Sequence, residues 1–131
     1  MQRDFYARIV KNAKERTVVI ISDAMRYEVG KELFHRMQDD PKCSAKLEVQ
    51  LSVLPSYTRL GMAALLPHNS MGLRESDMAV FLDGDVPVAS TEEREAALRR
   101  RKPKGRCIQS KTLLAAKRSA RKQLLGRRRR R

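Results

Sequence analysis

The two residues of this sequence best suited to catalysis or metal binding are an aspartate and a threonine, and each lies just after a predicted strand. Asp23 follows the β-branched run of residues 17–21, and Thr58 stands at the start of an apolar helical pattern. A carboxylate is an oxygen ligand for a hard or borderline dication. A hydroxyl becomes a nucleophile when a metal lowers its pKa, and a helix N-terminus stabilises phosphate charge. The two positions therefore suit phosphoryl chemistry.

A simpler role competes at both positions, because Asp and Thr are also common helix caps. Asp23 is placed to accept N–H bonds from a helix opening near Arg26, and Thr58 to cap its own helix. On spacing alone, capping is the commoner outcome for each. The two histidines are separate: His35 lies within a predicted helix, and His68 follows a helix-ending proline, where it would bind a phosphate or a backbone carbonyl.

Two predicted strands place these residues. The run Thr17–Ile21 is continuously β-branched, which is typical of a central parallel strand buried on both faces. Residues 45–53 alternate between apolar and polar, which predicts a half-buried neighbouring strand. In open α/β sheets, ligands bind beyond the carboxyl ends of the strands. We therefore expect Asp23 and Thr58 at one sheet edge, within reach of a shared metal.

The remaining pattern alternates between helix and strand. This order predicts an α/β fold, layered around a mostly parallel sheet with helices on both faces. A capping signature, Ser90 or Thr91 with Glu93, opens one of the helices. The other predicted elements are helices over residues 2–16, 26–37, 58–66 and 111–125, strands over 78–82 and 106–109, and a hairpin with a turn at 83–85 and a return strand at 86–88.

The charge of the chain is concentrated in its last third. The chain has 131 residues, the length of one ordinary domain, and a formal net charge of +14. Residues 1–90 have 12 basic and 12 acidic side chains, whereas residues 91–131 have 17 and 3. Such a segment attracts nucleic-acid phosphates without sequence specificity, although it has no aromatic residue for base stacking.

Other classes of protein are excluded by composition. No apolar run approaches the roughly 18 residues needed to span a bilayer, so neither a membrane protein nor a membrane partner is expected. Cys43 and Cys107 are too few for a disulfide scaffold or a four-ligand zinc site. We expect both to be reduced thiols and the protein to be cytoplasmic.

Two stretches of sequence carry a resemblance to a known family. They are VVIISDAMRYEV at residues 18–29 and LPSYTRLGMAALLPH at residues 54–68. Both resemble the PglZ domain, and more closely the type A PglZ phosphatase of BREX phage-defence systems. The resemblance covers residues 2–126, and it implies membership of the alkaline phosphatase superfamily.

That superfamily binds two divalent metals, usually zinc, at the carboxyl ends of a central sheet. By its pattern, Asp23 is a metal ligand, and Thr58 is the metal-activated nucleophile or its equivalent and a ligand too. The resemblance implies that the activity is hydrolysis of phosphoester bonds. It also implies that other phage-defence proteins are partners. The implied organisation is an amino-terminal helix over residues 1–16, the amino-terminal part of a PglZ-like domain over 17–126, and a polyarginine tail over 127–131.

The family's other metal ligands, a histidine and aspartates, come from a later part of the domain. The sequence is therefore interpreted as a truncated fragment that is inactive alone and does not retain its metal. Two further hypotheses stay open: a basic chain that binds nucleic acid non-specifically, and an interaction fragment without catalysis. Zinc stoichiometry and phosphodiester turnover test the first interpretation, and salt-sensitive retention on DNA separates the other two.

Overall fold

The chain divides after Leu65 into two units, in a computed structural model that describes residues 1–125. The first unit holds residues 1–65 and the second begins at Leu66. The predicted polyarginine tail at 127–131 lies outside the described residues. No helix in the described part of the chain is long and apolar enough to cross a membrane.

The regular secondary structure of the first unit is helical, and long irregular segments separate its helices. It begins with a 3₁₀ helix, Gln2–Asp4, and a π-helical turn, Tyr6–Val10, so the helical segment ends short of the predicted residue 16. Two α-helices follow, α1 (Tyr27–Gln38) and α2 (Thr58–Ala64). Both start within a residue of the predicted position, because their apolar periodicity is a local signal.

The core of the first unit surrounds α2. Leu60, Ala63 and Ala64 of that helix are buried, together with Tyr6. The side chain of Gln2 secures the amino terminus to this core: its Nε2 donates to the Gly61 carbonyl at 3.0 Å, and its Oε1 accepts from the Val53 N–H at 3.2 Å. Burial of small and branched side chains and two hydrogen bonds of one amide therefore hold the amino-terminal turn on α2.

The second unit contains an antiparallel sheet of three strands in the order β1-β2-β3, with β1 at Met71–Arg74, β2 at Ala79–Leu82 and β3 at Val86–Pro87. The predicted hairpin of β2 and β3 is confirmed. Its turn uses left-handed backbone at Asp83 (φ 52°) and Gly84 (φ 98°), which an Asp-Gly pair tolerates well. Strand β1 escaped the sequence analysis because its four residues include a glycine, which weakens a strand pattern.

Helices complete the second unit, namely α3 (Thr91–Arg99), α4 (Ser110–Ala115) and α5 (Arg118–Leu124). The capping signature is confirmed at Ser90, whose hydroxyl accepts from the Glu93 N–H at 3.1 Å. The single helix predicted over residues 111–125 is wrong, because Ala116 adopts an extended conformation (ψ 139°) and divides it. The strand predicted at 106–109 is also wrong, since those residues are irregular.

The predicted layered, mostly parallel sheet is contradicted by this architecture. The observed sheet is small and antiparallel, and it belongs to the local hairpins of the second unit. Thr17–Ile21 and residues 45–53, predicted as the central strand and its neighbour, are not in any strand. Ile20 is 87% exposed and Val49 is 80% exposed. A β-branched run favours extended backbone, but a strand also needs a ladder of hydrogen bonds to a neighbouring strand, and within residues 1–125 neither segment forms one.

Candidate functional site

Asp23 and Thr58 lie together in the first unit. The Thr58 hydroxyl donates to Oδ2 of Asp23 at 3.2 Å, which joins residues 35 positions apart in the chain. The other carboxylate oxygen, Oδ1, accepts from the Ala24 N–H at 3.0 Å. The predicted proximity of the two side chains is confirmed, whereas their predicted place at the edge of a parallel sheet is wrong.

Neither residue acts as the helix cap that its spacing favoured. The residue that caps α1 is Arg26 and the one that caps α2 is Tyr57, and neither makes a side-chain capping bond. Thr58 is instead the first residue of α2, with its hydroxyl directed at Asp23. The pair is thus a contact between two loop-to-helix junctions, and helix capping does not account for it.

The loop at Asp23 contains a left-handed residue that its sequence does not predict. Ala24 has a positive φ of 55°, in the left-handed region that costs an L-residue with a Cβ roughly 1–2 kcal/mol. The N–H of the same residue donates to the Asp23 carboxylate. Sequence reasoning missed the feature, since Gly, Asn or Asp would have signalled it and alanine does not.

The segment that leads to Asp23 lines an open groove of about 400 Å³. Val19, Ile20 and Ile21 form one side of it. The other lining residues come from the amino-terminal turn, the segment before α2 and the end of α2, namely Gln2, Phe5, Gln50, Ser52 and Leu65. Because most of these side chains are apolar, the groove does not itself supply ligands for a metal ion.

The oxygen atoms of the pair suit a dication, but they form only part of a coordination shell. Asp23 and Thr58 are both exposed, so an ion could reach them from solvent. A structural zinc site has four ligands, and a catalytic one has three protein ligands. Among residues 1–125, no group of three or more His, Cys, Asp and Glu side chains is arranged to hold a metal. Two dications therefore do not fit on these described residues alone.

Both histidines make contacts close to their own positions in the chain. Nδ1 of His68 lies 2.8 Å from the Leu66 carbonyl oxygen, which can only accept, so Nδ1 is the donor. The backbone contact predicted for His68 is therefore present, and its phosphate-binding role stays a prediction. His35 lies on α1, where its ring packs against Phe34 with centroids 5.6 Å apart. Cys43 and Cys107 are both free thiols, as predicted.

Comparison with known proteins identifies the class of protein to which this chain belongs. The family described as "BREX system PglZ alkaline phosphatase-like domain" matches residues 3–130, almost the whole chain. No solved structure matches significantly.

Two curated relatives agree with that match. The chain is 39% identical over 121 residues to the alkaline phosphatase-like protein BrxZ of Escherichia coli O9:H4 (strain HS), and the aligned part is 88% of this chain. It is 42% identical over 120 residues to the alkaline phosphatase-like protein PglZ of Bacillus cereus (strain H3081.97), with 89% of this chain aligned. The aligned region is 14% of each relative's length. The chain belongs to the PglZ family.

Proposed function

We propose that this chain supplies a metal ligand and a nucleophile to the phosphoester-hydrolysing site of a PglZ protein in a BREX phage-defence system. The observation that carries the proposal is the 3.2 Å contact between the Thr58 hydroxyl and the Asp23 carboxylate. Membership of a family described as alkaline phosphatase-like supports it. The site would act in the cytoplasm, beside other proteins of the same defence system.

The chemistry of the pair follows from its atoms. A divalent cation, zinc by family resemblance, would lower the pKa of a hydroxyl that it contacts. Asp23 would bind the cation through the carboxylate, and the Ala24 N–H on Oδ1 would hold that carboxylate in one orientation. Thr58, fixed at the first position of α2, would present its oxygen to a phosphoryl group. Both side chains are exposed, so a phosphoester in solution has access to them.

The same geometry leads us to propose that residues 1–131 do not hydrolyse phosphoesters alone. The pair offers two oxygen ligands, whereas a two-metal site needs ligands from several elements. The chain spans 14% of the length of the curated relatives it matches. We propose that the other ligands come from polypeptide outside this sequence and that the metal is held weakly here.

Paramagnetic Mn²⁺ added in small amounts to labelled protein tests the role of the pair. We expect the amide resonances of Asp23, Ala24 and Thr58 to broaden first, because a carboxylate and a hydroxyl oxygen converge there. The variant Asp23→Ala should lose this broadening. The matched control is Asp39→Ala, which removes an exposed carboxylate elsewhere in the first unit and should leave the broadening at Thr58 unchanged.

Two outcomes would contradict the proposal. Broadening of equal strength at every exposed carboxylate would mean that the pair has no preference for the ion. Turnover of bis(p-nitrophenyl) phosphate with Zn²⁺ or Mn²⁺ above the metal-only blank, abolished in Asp23→Ala, would mean that a complete site exists in this chain. Its proposed inactivity would then be wrong.

A further inference from the structure

The carboxyl-terminal part of the chain is basic without acidic compensation. The last acidic residue is Glu95, and every charged residue after it is Lys or Arg. Eleven basic side chains lie between that glutamate and the end of α5, at positions 99, 100, 101, 102, 104, 106, 111, 117, 118, 121 and 122. The acids nearest to them in the sequence are Glu92, Glu93 and Glu95 of α3.

Two acids of α3 are already engaged. The Glu93 carboxylate accepts from the backbone N–H groups of Ala89 at 2.7 Å and Ser90 at 2.9 Å. The Glu95 carboxylate accepts from the Cys107 N–H at 2.9 Å and pairs with Arg99 at 2.7 Å. The Glu93 carboxylate thus fixes the start of α3, and the Glu95 carboxylate fixes the loop at Cys107. Glu95 also neutralises one arginine, Arg99.

Some of the arginines also have structural roles. The Arg94 side chain donates to the carbonyls of Val88 and Ala89 at 2.9 and 2.7 Å. Arg121 reaches back along the chain to the carbonyls of Leu114 and Ala116 at 2.9 and 2.7 Å. These guanidinium groups tie α3 to the segment that follows β3, and α5 to the end of α4, so their sequence positions are explained by the fold.

A second group of cations has no such role. Its members are exposed, and none has an ion pair or side-chain hydrogen bond within residues 1–125; they are Arg101, Lys104, Arg106, Lys111, Lys117, Arg118 and Lys122. Three of them, Lys117, Arg118 and Lys122, lie on or next to α5, and we call these three the α5 cations.

The α5 cations repel one another within the protein. Arg118 and Lys122 are four residues apart on a helix, so their side chains are neighbours, and like charges at that spacing destabilise a helix. Arg121 adds a third positive charge to the same turn. A polyanion along α5 would turn this repulsion into attraction.

We propose that the α5 cations form an interface for the phosphate backbone of duplex nucleic acid, without sequence specificity. A duplex carries one negative charge per roughly 1.7 Å of its axis. Its high density of negative charge matches this cluster of cations. No aromatic residue follows Phe81 in the chain, so the stacking that favours single strands is missing. A membrane surface would need an apolar helix face, yet Ala120 and Leu124 of α5 are half-buried.

Fluorescence anisotropy with a labelled duplex of mixed sequence tests this interface. The titration runs at about 50–200 mM salt in EDTA, so that no metal at Asp23 contributes and failure here leaves the proposed catalytic role untouched. The triple variant K117Q/R118Q/K122Q should bind at least about tenfold more weakly at roughly 100 mM salt. Its slope of log affinity against log salt should be shallower by about 3, because each phosphate that a cation neutralises contributes about 0.9 to the slope. The matched control K14Q/R16Q/K31Q removes the same charge from exposed positions in the first unit and should keep the wild-type slope.

Four results would overturn the proposal. They are no duplex binding at about 50 mM salt, an equal weakening in the two triple variants, a preference for single strands or for vesicles of anionic lipid, and complete loss of binding in a variant that ends at Gly126. The last result would assign the binding to the five arginines at positions 127–131 instead.

Discussion

Gly105 is a position where one methyl group should measurably weaken the second unit. A Cβ there would lie 2.8 Å from both Cγ and Cδ2 of Leu98 and 2.9 Å from the Lys102 carbonyl oxygen. The Lys102 oxygen belongs to the backbone and accepts the Gly105 N–H at 2.7 Å, so it cannot move aside without breaking that bond. We expect Gly105→Ala to lower the free energy of unfolding by about 1–3 kcal/mol, measured by urea denaturation.

The control for this prediction is Gly72→Ala in β1. A Cβ at Gly72 would meet nothing within 4 Å, so the free energy of unfolding should change little, by about 0.5 kcal/mol or less. Equal effects of the two substitutions would mean that the close approach at Gly105 does not constrain the loop after α3.

At the residue scale, the candidate site was largely predictable. Asp23 and Thr58 stand out because each lies between a predicted strand and a predicted helix, and the structure brings them together. The left-handed conformation of Ala24 beside Asp23 was not predictable, because alanine is not a residue type that signals positive φ. Their roles as ligand and nucleophile remain predictions.

Among the elements, the hairpin of β1 and β2 contains an ion pair that changes the pKa of its carboxyl group. Arg74 donates to both carboxylate oxygens of Asp77, from Nε at 2.9 Å and from a terminal nitrogen at 2.7 Å. Hydrogen bonding to Arg74 lowers the pKa of Asp77 from 3.8 to about 2. Because the folded pKa lies below the unfolded value, the pair stabilises the hairpin fully above about pH 4, and this contribution is lost as the pH falls towards 2.

Carboxyl NMR titration of wild type and Arg74→Gln tests this effect. In the variant, the pKa of Asp77 should rise towards its ordinary value, because the largest cause of the shift has been removed. The control Arg59→Gln deletes an arginine of α2 and should leave the Asp77 titration unchanged. An unshifted titration in Arg74→Gln would show that Arg74 does not control this carboxylate.

The elements that the sequence predicted well are those with local causes. The capping signature at Ser90 and the Asp-Gly turn of the β2–β3 hairpin each require contacts only a few residues away. The strands predicted at Thr17–Ile21 and at 45–53 depend on distant partners, and no such pairing forms within residues 1–125. The break at Ala116 has local contacts as well, since Arg121 donates to the Ala116 and Leu114 carbonyls, but the apolar pattern of residues 111–125 did not reveal it.

At the scale of the molecule, the first unit exposes apolar segments. Ile20 and Val49 are exposed, and so is Leu51 at 72%. Extended, β-branched segments without strand partners are templates for pairing with other chains. The chain spans only 14% of the length of its curated relatives. We therefore expect the isolated chain to associate with itself as its concentration rises.

The variant Ile20→Lys should weaken this self-association. It puts a charge on the exposed Thr17–Ile21 run and makes pairing with another copy unfavourable. Sedimentation velocity at increasing protein concentration measures the effect as a smaller fraction of oligomer. Asn12→Lys is the matched control: it adds the same charge at an exposed polar position of the same unit and should change the oligomer fraction much less. If the two variants dissociate the oligomer equally, net charge governs association and the exposed run does not. If wild type stays monomeric at all concentrations, these apolar segments do not drive pairing in solution.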